Sequence, residues 1–167
     1  MRYLLIVLSL LVTVSVMGAN KFAVVDMQKV IMEVQQGKKA MSKLKAEKEK
    51  KEKEINSKKE NFLKKQKELE EMMKNPAADK KKAQQKYQEL AQTYQMLQME
   101  AQRMQQELLQ KEQTAAKKIL EKAQVILNKI VKREKFTMVF NKAAVLYYPP
   151  ALDITNQLIR EYDKAYK

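Results

Sequence analysis

Between Ala83 and Leu108, the positions Ala83, Tyr87, Leu90, Tyr94, Leu97, Ala101, Met104 and Leu108 step by four and three without a break. That stepping is the a/d seam of a coiled coil. Before Pro76 it runs through Val30, Val34, Gly37, Met41, Leu44, Lys48, Lys51, Ile55, Lys58, Phe62, Lys65 and Leu69. The two series mirror each other. Pairing residues whose numbers sum to 152 sets Leu69 against Ala83, Phe62 against Leu90, Ile55 against Leu97 and Leu44 against Leu108. A chain patterned this way is constrained to fold back as an antiparallel helical hairpin with its tip at Asn75-Pro76. At about 1.5 Å per residue, each arm from a base near Met27 to the tip is about 70 Å long. Such a rod has little interior, so its function must lie along its surface or in an assembly.

The flanking segments predict a second, smaller body. Phe22-Ala23-Val24-Val25-Asp26 reads as a short buried strand, and Asp26 can cap the helix that follows. The outgoing arm is expected from about Met27 to Lys74. Pro76 biases Asn75 away from helical angles, and Asp79 or Asn75 can cap the returning helix, which runs to about Lys135. Past Leu108 the strict heptad widens into the stripe Ala115, Ile119, Ala123, Ile126, Leu127, Ile130 and Val131, the mark of a helix entering a globular core. Two strands are expected next, Thr137 to Phe140 and Ala144 to Tyr148, turned by Asn141-Lys142. A last helix starts near Asp153 or Thr155, with Ile154, Leu158, Ile159, Tyr162 and Ala165 on one face.

The fold class is therefore mainly α, in an α+β arrangement. Residues 20–36 and 115–167 form a discontinuous body from both chain ends, and residues 37–114 form the coiled-coil arm with its tip at 75–79. Three short strands and one short helix make a marginal core, and open strand edges invite another copy. Phe22, Val24, Val139, Val145 and Tyr147 are the candidates for joining copies.

Residues 1–19 read as a secretory signal peptide: Arg2, an apolar run from Tyr3 to Met17, then small residues. The alternative is a membrane anchor, but about fifteen apolar residues fall short of the roughly twenty a spanning helix needs. No cysteine is present, so a lipid anchor at that junction and disulfides are both excluded. Loss of Arg2 lowers the formal net charge from +14 to +13. In an exported protein this favours anionic lipid, lipopolysaccharide or an acidic protein as partner over nucleic acid.

The arm carries most of that charge, with 18 lysines against 9 acids from Lys38 to Lys86. Some form i,i+4 pairs such as Glu47 with Lys51 and Glu49 with Lys53. In the mirror register, seam Lys58 faces Tyr94 and Lys65 faces Tyr87, while Lys48 and Lys51 face Met104 and Ala101. The arms should hold weakly in the middle and bend. The candidate partner-contact residues are Met72, Met73, Met96 and Met99, whose flexible thioethers suit varied partners, with Lys64, Lys80, Lys81 and Lys82. Methionines on a helical hairpin also serve as packing filler. With no His, no Cys and only two glycines, neither the common metal and nucleophile–base sets nor a phosphate-cradling loop can be built, and no enzyme or cofactor is expected.

Phe22 to Val30, with Gln28-Lys29-Val30 opening the arm, and Ala143 to Thr155, a strand leading into Asp153-Ile154-Thr155, resemble the Skp/OmpH family of periplasmic chaperones. The resemblance covers essentially the whole chain after residue 19. Tandem Pro149-Pro150 departs from the family pattern, which puts the connection into the last helix in doubt. Membership implies a homotrimer whose strands form a small body and whose three hairpins enclose unfolded outer-membrane proteins without ATP. It also brings lipopolysaccharide binding on the arm, at a place the residues do not single out. A structural tether or spacer in the cell envelope is the competing expectation, though a tether wants strong heptads throughout.

Overall fold

The structure is a computed structural model that describes residues 20–75 and 79–167. The expected signal peptide and the turn residues Pro76, Ala77 and Ala78 lie outside them. Strand β1 (Phe22–Val25) leads into helix α1 (Met27–Glu33) and then α2 (Gln35–Lys74). Helix α3 (Lys80–Glu134) returns, followed by β2 (Met138–Asn141) and α4 (Thr155–Ala165). Among the described residues, no helix is long and apolar enough to cross a membrane.

Capping follows the sequence. The Asp26 carboxylate accepts the Lys29 N–H at 2.9 Å. That of Asp79 accepts from Lys81 and Lys82, satisfying amides that have no partner inside the helix. Helix α3 ends at Lys135, in the left-handed region at φ 59°. The outgoing arm, by contrast, is not continuous from Met27. Val34 is extended (ψ 148°) and buried, and it separates α1 from α2. Val34 has no side-chain oxygen to cap α2, so the Asp163 carboxylate, from α4, accepts the Gln35 N–H at 2.8 Å.

The body packs Val30, Val34, Ile119, Ala123, Ile126, Leu127 and Ile130 against Ala23, Val25, Ile154, Leu158 and Tyr162. Both chain ends thus build one core, as the widened stripe of α3 predicts. Strands β1 and β2 pair in parallel, with Phe22 opposite Met138 and Val25 opposite Asn141. A lone bridge joins Val24 to Asp153 on the other edge of β1.

The third strand, expected at Ala144 to Tyr148, does not form. The Asn141 side chain accepts the Ala143 N–H, and Lys142–Ala144 close a 3₁₀ turn. From Val145 the chain runs on without a strand partner until a second 3₁₀ turn at Pro150–Leu152. Tyr148 fastens this stretch by donating its hydroxyl to Asp153 at 3.0 Å. A strand needs a neighbour for its backbone groups, and the described residues offer none here.

In the arm, the interface is a pair of parallel rows. The apolar row sets Ile55, Phe62 and Leu69 of α2 against Leu90, Leu97 and Met104 of α3. The polar row sets Lys51, Lys58 and Lys65 against Glu107, Glu100 and Thr93. This corrects the mirror pairing: Lys51 and Lys58 reach residues six positions farther along α3 than Ala101 and Tyr94, nearly two helical turns. Tyr94 meets Phe62, with centroids 6.0 Å apart, while the Lys58 ammonium sits 2.6 Å from Glu100. Tyr87 and Tyr94 are 66% and 52% exposed, flanking the seam rather than filling it. The physical reason is charge. In the mirror register Lys51 and Lys58 would face Ala101 and Tyr94; the observed one gives each a carboxylate.

Candidate functional site

The candidate functional surface of so thin a molecule is the arm, and its two flanks differ. One flank is an ion-pair ladder. Glu47 pairs with Lys111, Lys51 with Glu107, Lys58 with Glu100, and Glu68 with Lys86 at 3.4 Å. Arg103 reinforces Glu107 from one turn away at 2.8 Å. These contacts hold the Glu47 carboxyl below its ordinary 4.5, chiefly through the hydrogen bond from Lys111. Glu107 is lowered by Lys51 and then Arg103, and Lys51 in turn is raised by Glu107. Along α2 the expected i,i+4 pair Glu47 with Lys51 forms, while Glu49 and Lys53 do not pair and Lys48 with Glu52 and Lys50 with Glu54 do.

The opposite flank carries Tyr87 and Tyr94 of α3 and Leu63 of α2, all exposed. It ends at the tip in a cleft of about 420 Å³ lined by Met72, Met73, Asn75, Lys80, Ala83, Gln84 and Tyr87. Of the predicted contact residues, Met72, Met73 and Lys80 come together in this cleft. Lys64, Lys81 and Lys82 are exposed but do not line it. Met96 lies on the ladder flank, in grooves beside Lys65. Met99 is exposed farther along α3. Leu63 and Leu109 escaped the sequence reading because both lie off the heptad template; exposed apolar residues beside a seam were the signal available.

At the root, the arm is locked to α4. The Gln36 side-chain oxygen accepts from the Tyr162 hydroxyl at 2.9 Å and from Lys122 at 3.0 Å, and its amide donates to the Tyr166 carbonyl. Burial pushes the Tyr162 hydroxyl up. Arg133 grips both oxygens of Glu161, which holds that carboxyl down and joins α3 to α4. Of the residues expected to join copies, Val24 is buried in the chain itself. Val139 and Val145 are half-buried, Phe22 stacks edge-on against Phe140 at 6.2 Å, and Tyr147 is exposed. The neighbouring Leu146 is fully exposed. Among the described residues, no group of three or more acidic side chains is placed to hold a metal ion.

A basic hairpin arm on a small body built from both chain ends defines the class. Residues 21–162 match the family described as Outer membrane protein (OmpH-like), and the chain belongs to that family. An uncharacterized protein of Aquifex aeolicus (strain VF5) is 31% identical over 143 residues, covering 86% of each chain. The fold also matches the crystal structure of a candidate outer membrane chaperone (OmpH-like) from Caulobacter crescentus CB15. That match has a TM-score of 0.80 at 18% identity, over 89% of this chain and 86% of that one.

Proposed function

We propose that the chain is an ATP-independent holdase of the periplasm, capturing unfolded outer-membrane proteins between its arms and preventing their aggregation. The observation that carries this reading is the arm itself: a long basic rod whose inter-arm contact alternates apolar and ionic rows. Exposed ion pairs hold a helix pair weakly, because water and salt screen them and ordering long side chains costs entropy. Such an arm bends around clients of different size. Its surplus of lysine draws acidic unfolded chains, and many weak contacts retain them by avidity. Release then needs only a more favourable fold elsewhere.

The exported location and the trimer are part of the same reading. The trimer is supported by the segment Val145 to Tyr148, which pairs with no strand among the described residues, and by exposed Phe22, Met138 and Phe140 on the small sheet. Anionic lipid or lipopolysaccharide remains a further partner by charge alone. The test is mass by light scattering on protein lacking residues 1–19, alone and with a urea-denatured outer-membrane β-barrel diluted into buffer. A trimer that keeps the client in one discrete soluble complex without nucleotide supports the proposal. A monomer or dimer that leaves the client to aggregate overturns it in favour of an envelope tether.

A further inference from the structure

The charged residues of α3 between Ala83 and Gln110 are Lys86, Glu89, Glu100, Arg103 and Glu107. Helical periodicity sets all five toward the ladder flank or the back of the helix, and four of them are engaged in the ion pairs above. What remains is a face of α3 with no charge over about 40 Å, in a chain of net charge +14. Tyr87, Tyr94, Gln98, Gln102, Gln105 and Leu109 mark its course, and at the tip it opens into the cleft at Met72 and Met73. Leu63 and Lys59 of α2 border it.

We propose that this uncharged flank of α3 is the wall against which the arm holds extended, unfolded polypeptide of net negative charge. The inference rests on the holdase reading and names the face of the arm that does the holding. Charge complementarity selects the partner. Lys59 at the border and Lys80 in the tip cleft meet acidic side chains. The arm's 18 lysines against 9 acids from Lys38 to Lys86 outweigh Glu52 and Glu70, which share that border one heptad from Lys59 and Leu63. The face between those two lysines offers nothing to repel or desolvate. An unfolded backbone brings unpaired N–H and C=O groups that are costly to cover unless they are hydrogen-bonded. A glutamine amide both donates and accepts, so a row of them serves a peptide in any register. Tyr87, Tyr94 and Leu109 supply apolar islands too scattered to grip one sequence. A second helix fits this surface poorly. The row Tyr87, Tyr94, Ala101 and Leu108 has the apolar seam on one side, and the next two rows outward are largely glutamine, which helix packing would bury unpaired. The ladder flank is a poor wall, since a client there displaces charges already satisfied.

Tyr94 and Met96 provide a matched comparison: both are apolar, they stand at 52% and 57% exposure, and they lie on opposite flanks. Each is replaced in turn by a photo-crosslinking benzoylphenylalanine in the full-length chain without residues 1–19. The probe client is a urea-denatured acidic β-barrel protein diluted into buffer. Crosslinking to the client severalfold greater from position 94 than from 96 is expected. Equal yields, or more from 96, overturn the assignment of the flank. Crosslinks from 94 to another copy's arm, unchanged by client, overturn it too and make this flank an arm–arm interface. In both cases the client stays soluble, so the holdase reading survives. Aggregation of the client regardless sinks that reading, and this inference with it. A second variant, Gln98→Glu with Gln105→Glu, adds two carboxylates to the flank and is expected to shorten client retention severalfold at unchanged helicity; unchanged retention counts against the proposal.

Discussion

Gly37 shows how much one residue can fix. It is buried at the root of the arm, where a Cβ would lie 1.9 Å from the Ile31 carbonyl oxygen. Backbone cannot yield there without disturbing the junction of α1 and α2. Gly37→Ala is therefore expected to destabilise the fold by about 1–3 kcal/mol, read as a lower urea midpoint. Tyr162→Phe tests the same junction more gently. It removes the hydroxyl donor to Gln36, at a cost of about 0.5–1.5 kcal/mol, and the effect should fall at the low end because Lys122 still donates to the same oxygen. What was legible at this scale was local. Asp26 and Asp79 announce their caps because a side-chain oxygen before a helix has one obvious use. The break at Val34 was hidden, since Val30, Val34 and Gly37 keep the seam stepping intact and α2 is capped by Asp163, 128 residues away.

At the scale of the element, the hairpin was legible and its register was not. Apolar residues at steps of four and three define a stripe. Where lysine and glutamate fill alternate slots, though, the heptad template cannot choose between Thr93 or Tyr94, and between Glu100 or Ala101. The ion pairs make that choice, which gives the arm a pH dependence. Glu47 and Glu107 are held below their ordinary 4.5, so their contribution is present above that value and is lost as pH falls through the lowered folded value. Lys51 is raised above 10.5, so its contribution is present below that value and is lost only as pH rises beyond it. Far-ultraviolet circular dichroism should show arm helicity melting at lower temperature below about pH 4, with little change between pH 6 and 9. Lys58→Leu with Glu100→Leu acts in the opposite direction. Both side chains are half exposed, so the pair contributes little, whereas two leucines extend the apolar row. The expected result is a higher melting temperature and, under the proposed holdase function, a stiffer arm that keeps fewer sizes of client soluble.

At the scale of the whole molecule, the proposed trimer turns on the body. Its core gathers both chain ends, as the apolar stripe from Ala115 to Val131 foretold. The segment from Val145 to Tyr148 has the β-branched and aromatic composition of a strand, yet it finds no strand partner among the described residues. Composition reports what a segment can become; a neighbour decides whether it does. Leu146, fully exposed, and Tyr147, at 84% exposure, are costly side chains to leave in water. They follow a two-stranded sheet whose β2 edge is open among the described residues. Under the proposed trimer they are the residues that another copy covers. Leu146→Asp with Tyr147→Asp is expected to reduce the mass in light scattering to that of one chain. Helicity should persist, because neither side chain supports the core that holds α1, α3 and α4. The same variant should lose client retention, since a lone arm offers one wall and encloses nothing. A trimer that survives both carboxylates would move the join to the exposed face of Phe22, Met138 and Phe140, where a charge at Met138 is the next substitution to make.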